Sequence, residues 1–179
     1  MPARTSPASG PRGADALHST KVTKVLPYQP DQLFDLIADV EAYPEFLPWV
    51  SSLRAWNRTG PMDGIHSVDA EAKVGFAIVR ETFATRVTMD QAARTIEVSL
   101  LYGPFRRLRN LWRFVPDPRP PRVEFEIDFE FKSRLLDTIL AANLRHAADR
   151  LIGCFEARAR RLYGAGTSAA VAVPADGAA

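Results

Sequence analysis

The sequence predicts an α+β fold, a curved antiparallel sheet of about six to seven strands wrapped around one long C-terminal helix, with short helices after the first strand. Three observations lead there. Segments in the middle of the chain alternate apolar and polar residues with a period of two, as a sheet with one buried face requires. The turns between them are short (TGPMDG, MDQAAR, YGPFR, PDPRPP), which favours an antiparallel meander. After the last strand the apolar spacing becomes helical and stays so to Tyr163.

Taken in order, the first strand candidate is HSTKVTKVLPY, where Val22 alternates with polar neighbours. QPDQLFDLIADV then reads as a short helix. Pro30 suits its first position, Asp31 the positive end of its dipole, and Leu33, Phe34 and Ile37 form one face. DVEAYPEFLPWV follows at 39–50, irregular because Pro44 and Pro48 lack the N–H that helices and ladders use.

The strands come next. Val68, Ala70, Ala72 and Val74 alternate with Asp69, Glu71 and Lys73; Val79, Phe83, Val87 and Met89 share a face; so do Ile96, Val98 and Leu100. Leu108, Trp112 and Phe114 point one way with Asn110 among them. In VEFEIDFEF, Val123, Phe125, Ile127, Phe129 and Phe131 alternate strictly with four acids. The closing helix runs from Ser133, a candidate cap, to Gly164, a candidate stop. Its apolar positions are Leu136, Leu140, Leu144, Ala147, Leu151, Phe155, Ala159 and Leu162. About 30 residues at 1.5 Å each make it roughly 45 Å long, enough to lie across the sheet.

The totals agree with one domain. The chain has 179 residues, 46% apolar and 25% charged. Residues 1–17 and 165–179 are rich in small residues and lack a usable period, so disordered extensions are expected on a folded part of 18–164. A net charge of +2 makes no polycation and points to no DNA partner. A single cysteine excludes an internal disulfide framework and suits a reducing, intracellular setting. No run approaches the roughly 20 apolar residues of a membrane span, and the N-terminus lacks the apolar stretch of a signal peptide. A cytoplasmic protein is expected, with contact at the inner face of the membrane.

Large inward aromatics on the sheet face small and medium residues on the helix. That pairing allows either interdigitation into a filled core or an elongated apolar cavity. Residues 39–50 share the ambiguity. Tyr43, Phe46, Leu47 and Trp49 either plug an open end or form the rim through which an apolar ligand enters. From inward geometry, the candidate ligand contacts are Phe34, Tyr43, Phe46, Leu47 and Trp49 near the rim. Val68, Ala70, Phe83, Asn110, Trp112, Phe114 and Phe129 supply the sheet, and Leu140, Leu144 and Leu151 the helix.

The run DVEAYPEFLPWV, the Ala70–Glu71 pair with VGF at 74–76, and ETFATRVT at 81–88 resemble a known family. YGPFRRLRNLWRF at 102–114, FEIDFEFKSRLLD at 125–137 and CFEARARRLYG at 154–164 extend the likeness over about 18–164. The chain resembles the coenzyme Q-binding proteins of the START-like, helix-grip superfamily, which overlap with bacterial ribosome-association toxins. The resemblance implies a hydrophobic tunnel for ubiquinone or a related isoprenoid lipid, and a carrier or chaperone linked to respiration and quinone biosynthesis. It also implies the ribosome as an alternative partner. Cyclase-type enzymes share the superfamily.

Residues for catalysis are not evident. His18, His66 and His146 are scattered without metal-ligand spacing, no glycine-rich phosphate loop appears, and Cys154 sits among apolar helix positions. No catalytic residue, metal or catalytic cofactor is therefore expected. Arg106, Arg107, Arg109, Arg113, Arg119 and Arg122 form a basic stripe. It suits acidic headgroups or ribosomal RNA, or pairing with Glu124, Glu126, Asp128 and Glu130 on the neighbouring strand.

Overall fold

Seven strands pair into one antiparallel sheet in the order β1-β7-β6-β5-β4-β3-β2. The computed structural model describes residues 17–76, 79–116, 121–141 and 143–166, so the expected disordered ends lie almost wholly outside the described residues. The strands are β1 (His18–Val25), β2 (Val50–Met62), β3 (Ile65–Phe76), β4 (Val79–Asp90), β5 (Thr95–Tyr102), β6 (Phe105–Val115) and β7 (Arg122–Phe131). Between β1 and β2 lie α1 (Pro30–Ala38), a 3-10 turn (Val40–Ala42) and α2 (Tyr43–Phe46). The chain closes with α3 (Arg134–Ala141) and α4 (Leu144–Tyr163). Only β1 breaks sequence order, pairing with β7 from His18↔Phe129 to Val25↔Arg122.

Most elements form where local chemistry places them. α1 begins with Pro30 and a capping box between Gln29 and Gln32, and buries Leu33, Phe34, Leu36 and Ile37. β7 buries Val123, Phe125, Phe129 and Phe131 on one face, following its alternation. Gly103 turns the chain into β6 with φ +144°, and a Cβ there would stand 2.4 Å from Phe83 Cβ.

Two expectations need correction. The closing helix is two helices, because Asn143 leaves helical geometry (φ −121°, ψ 11°) and becomes the N-cap of α4. Asn competes with the helix backbone in an interior but suits a cap. The buried face of α4 is Ala148, Ile152, Phe155 and Ala159, so Leu144, Ala147 and Leu151 flank that face and Leu162 is exposed. Strand β2, which no sequence pattern singled out, is a mostly exposed edge strand with three register irregularities against β3.

The core falls into two clusters. The larger joins α1, α4 and the middle of the sheet through Phe34, Trp112, Phe125, Ile152 and Phe155. The smaller, at the α3 end, holds Leu108, Phe129, Phe131 and Leu136. Ile127 packs against both. His18 Nε2 lies 2.8 Å from Asp137 Oδ1, tying β1 to α3.

On the outer face, arginines pair with acids. Arg113 meets Glu126 at 2.9 Å, Arg122 meets Glu124 at 3.2 Å and Arg106 lies 3.6 Å from Glu130. Arg109 turns instead to Glu97 on β5, at 2.8 Å. Arg107 is exposed opposite Glu130, and Arg119 lies outside the described residues. Lys21 bridges Glu124 and Glu126, holding both carboxylates below their ordinary range together with Arg122 and Arg113.

Asp69 is the buried acid of this face. Arg86 donates to both its oxygens at 2.8 and 3.0 Å, and Asn57 donates at 2.8 Å. These bonds, Arg86's first, hold the Asp69 carboxyl below its usual value. A depressed pKa stabilises the fold above the unfolded value, about pH 4, and that stability is lost as pH falls through the folded value. Asp69→Asn should therefore cost about 1–2 kcal/mol near neutrality, and the gap should shrink below about pH 4. Urea unfolding of both proteins from pH 3 to 7 checks it; a gap that ignores pH would assign the loss to packing.

Candidate functional site

The core is not filled. Between the concave face of the sheet and α4 lies a cavity of about 380 Å³, within the roughly 300–1,000 Å³ of small-molecule pockets. Its walls follow from the pleat. Ala70, Ala72 and Val74 of β3 line it with Phe83, Thr85 and Val87 of β4. Ile96 and Val98 of β5, and Leu108, Asn110 and Trp112 of β6, come next, then Phe125, Ile127, Phe129 and Phe131 of β7. α4 contributes Leu144, Ala147, Ala148, Arg150, Leu151 and Phe155. The mouth lies along α4, since Leu144, Ala147, Arg150 and Leu151 line the cavity yet keep solvent exposure.

Most expected contacts converge here. Tyr43, Leu47, Trp49, Ala70, Phe83, Asn110, Trp112, Phe129, Leu144 and Leu151 all line the cavity. Four others do not. Phe34 is buried edge-on against Phe114, their rings 5.6 Å apart, so both belong to the packed end under α1. Val68 is buried and stands outside the lining. Phe46 lies outside the lining, with its ring 5.1 Å from Phe155 and under the Arg158 guanidinium at 5.4 Å. Leu140 falls in α3, but its side chain lies outside the described residues.

Residues 39–50 close one end by being clamped to α4. Glu45 pairs with Arg158 at 2.7 Å, and the rings of Phe46 and Tyr43 both meet Phe155 edge-on. The Tyr43 hydroxyl points inward and donates to Ile37 O at 2.6 Å, rather than outward to a membrane interface. Burial, aided by the Asp39 charge, raises its pKa far above the ordinary phenol value. Trp49 stands at the mouth with the Arg150 guanidinium 5.3 Å from its ring.

Polar groups in the described lining are few: Tyr43, Trp49, Thr85, Asn110, Trp112 and Arg150, with no carboxylate, imidazole or thiol among them. Asn110 pairs with Val98 on one side and Ile127 on the other, so it projects from mid-sheet between lining residues. Its Oδ1 is buried without a hydrogen-bond partner, a state that costs about 1–3 kcal/mol. Cys154 lies outside the lining, and burial pushes its thiol up against the opposing effect of Arg150. Among the described residues no group of three His, Cys, Asp or Glu side chains could hold a metal ion.

A profile of the family described as polyketide cyclase/dehydrase and lipid transport matches residues 26–156. This chain belongs to that family. It is 31% identical to the ribosome association toxin RatA of Rickettsia prowazekii, over 78% of this chain and 94% of that one. It is 29% identical to the mitochondrial coenzyme Q-binding protein COQ10 homolog B of Xenopus laevis, over 79% of this chain and 58% of that one. Among solved structures, an 18 kDa protein of Caulobacter crescentus is 59% identical with a TM-score of 0.71, covering 83% of this chain and 99% of that one. A START superfamily protein of Mycobacterium smegmatis shares the fold at 21% identity and a TM-score of 0.67, covering 81% and 99% of the two chains. The architecture is the START-like helix-grip fold.

Proposed function

We propose that this protein binds ubiquinone or a related isoprenoid lipid in the cavity, without catalysis, as a carrier or chaperone supporting respiration and quinone biosynthesis. The observation that carries the reading is the cavity itself, an apolar space of about 380 Å³ bounded by aromatic and aliphatic side chains. Each CH₂ of a prenyl tail buried there contributes about 0.8 kcal/mol. Among the described lining residues no side chain is suited to move a proton at neutral pH, which favours binding over turnover. Cargo exchange takes place at the inner face of the membrane, the protein approaching from the cytoplasm. No described helix is long and apolar enough to cross a membrane.

A second reading, association with the ribosome, draws on the name borne by the 31%-identical relative. The basic stripe supports it less than its sequence suggests, because Arg106, Arg109, Arg113 and Arg122 each stand beside a carboxylate. One preparation tests both. Organic extraction of freshly purified protein followed by mass spectrometry should yield a prenylated lipid in near-stoichiometric amount. Protein that carries no lipid but sediments with ribosomes in a salt-sensitive way would transfer the function to the second reading.

A further inference from the structure

We infer that the lipid head lies inward at Asn110 and carries a carbonyl oxygen, as an oxidised quinone does. The Asn110 side-chain NH₂ donates to that oxygen, with the Trp112 indole N–H beside it. The inference rests on the lipid-binding reading and specifies its head group. Asn110 and Trp112 stand two residues apart on the inward face of β6, about 7 Å along the strand. The Oδ1 of Asn110 is sealed, but its Nδ2 is not, and that nitrogen has no partner among the described residues. Val98 and Ile127, its neighbours on either side, line the cavity, so the space that the half-buried amide borders is the cavity. The Trp112 N–H is likewise unsealed and unpaired among the described residues, although the residue is only 4% exposed and its ring packs on Phe125 at 4.3 Å.

The other polar groups of the lining do not choose between heads. The Tyr43 hydroxyl is committed to Ile37 O, and Trp49 and Arg150 stand at the mouth, where solvent reaches both. The Thr85 hydroxyl has no partner among the described residues, but a hydroxyl donates and accepts alike. Thr85 also stands apart. It pairs with Leu100 and Asn110 pairs with Val98, which sets the two residues two strands and one pleat from each other, about 12 Å by sheet spacing. The two groups that remain offer only hydrogens to the cavity. A quinone carbonyl accepts them and brings no hydrogen of its own. A hydroquinone sets its hydroxyl hydrogens against donors, and it loses more hydration on entering hydrocarbon. A head without oxygen leaves both donors unpaired.

The test uses three lipids that differ only in the head: geranylbenzoquinone, geranylhydroquinone and geranylbenzene. Each is equilibrated between phosphatidylcholine vesicles and the protein in oxygen-free buffer, and the lipid carried by the protein is measured after the two are separated. The parent should take up the benzoquinone about tenfold more strongly than the hydroquinone. Asn110→Leu should lower benzoquinone uptake about tenfold and leave geranylbenzene within about twofold of its parent value. If leucine does not fold there, Asn110→Ala should separate the two lipids in the same way. Trp112→Phe, which keeps a ring but removes the N–H, should lower the benzoquinone about threefold; no change there would remove the indole from the site. A parent that prefers the hydroquinone, or an Asn110 substitution that lowers geranylbenzene in step with the benzoquinone, would overturn the head-group inference while leaving lipid binding standing. Uptake of none of the three would overturn both.

Discussion

Phe155→Ala should cost about 3–5 kcal/mol, the largest loss expected from any single truncation in this protein. The ring is 3% exposed and meets three aromatic rings on two other elements. It lies 5.3 Å from Tyr43 and 5.1 Å from Phe46, and 5.4 Å from Trp112 on β6. Removing it unfastens residues 39–50 from α4 and withdraws the helix from the sheet. Collapse cannot repair the gap, because the void would merge with the cavity that Phe155 already lines. Leu162→Ala, on an exposed position of the same helix, should stay within about 0.5 kcal/mol. Urea unfolding of both variants decides the matter. A loss near 1 kcal/mol for Phe155→Ala would mean that the segment and the helix hold together without it.

The fold was legible where one face of an element is buried and the other wet. β7 is the clearest case, since Phe125 and Phe129 must go in where Glu124 and Glu126 must stay out. β2 gave no such signal. It is an edge strand whose residues from Asn57 onward are exposed, so burial imposes no period on them. The helix break at Asn143 was hidden for the opposite reason. Leu136, Leu140 and Leu144 continue a four-residue spacing straight through it, and an amphipathic stripe does not record that the backbone has turned.

The cavity was only half legible. Strand parity named Phe83, Asn110, Trp112 and Phe129 correctly as inward, and the same parity extended to Val87, Ile96, Val98 and Ile127, which also line the space. Parity cannot say which inward residues are packed and which border open space, and Val68 and Phe114, inward by the same parity, do not line the cavity. Whether inward residues meet or stand apart depends on the distance between α4 and the sheet, which no local pattern encodes. Arg150 had no signal at all: a charged residue on a helix reads as solvated until Trp49 is found beneath it.

Leu144→Trp should abolish or strongly weaken lipid binding, by tenfold or more, while changing stability by less than about 1 kcal/mol. Leu144 is half-buried at the mouth and packs against the cluster of Leu108, Phe129, Phe131 and Leu136. An indole there has unoccupied space to enter, with Phe83 and Trp112 lining the same cavity. In a closely packed core the same insertion would force rotamer and backbone shifts costing about 1–3 kcal/mol. The two measurements thus separate an open site from a filled one. Leu135→Trp is the control, because Leu135 lies on α3 with 67% exposure and outside the lining, so it should disturb neither. Melting temperature and affinity for a short-chain prenyl quinone are read on the same samples. A sharp fall in melting temperature with binding unchanged would mean that the space at Leu144 is not where the lipid goes. Loss of binding at unchanged melting temperature requires that the space stand open in the folded protein and that the ligand need it.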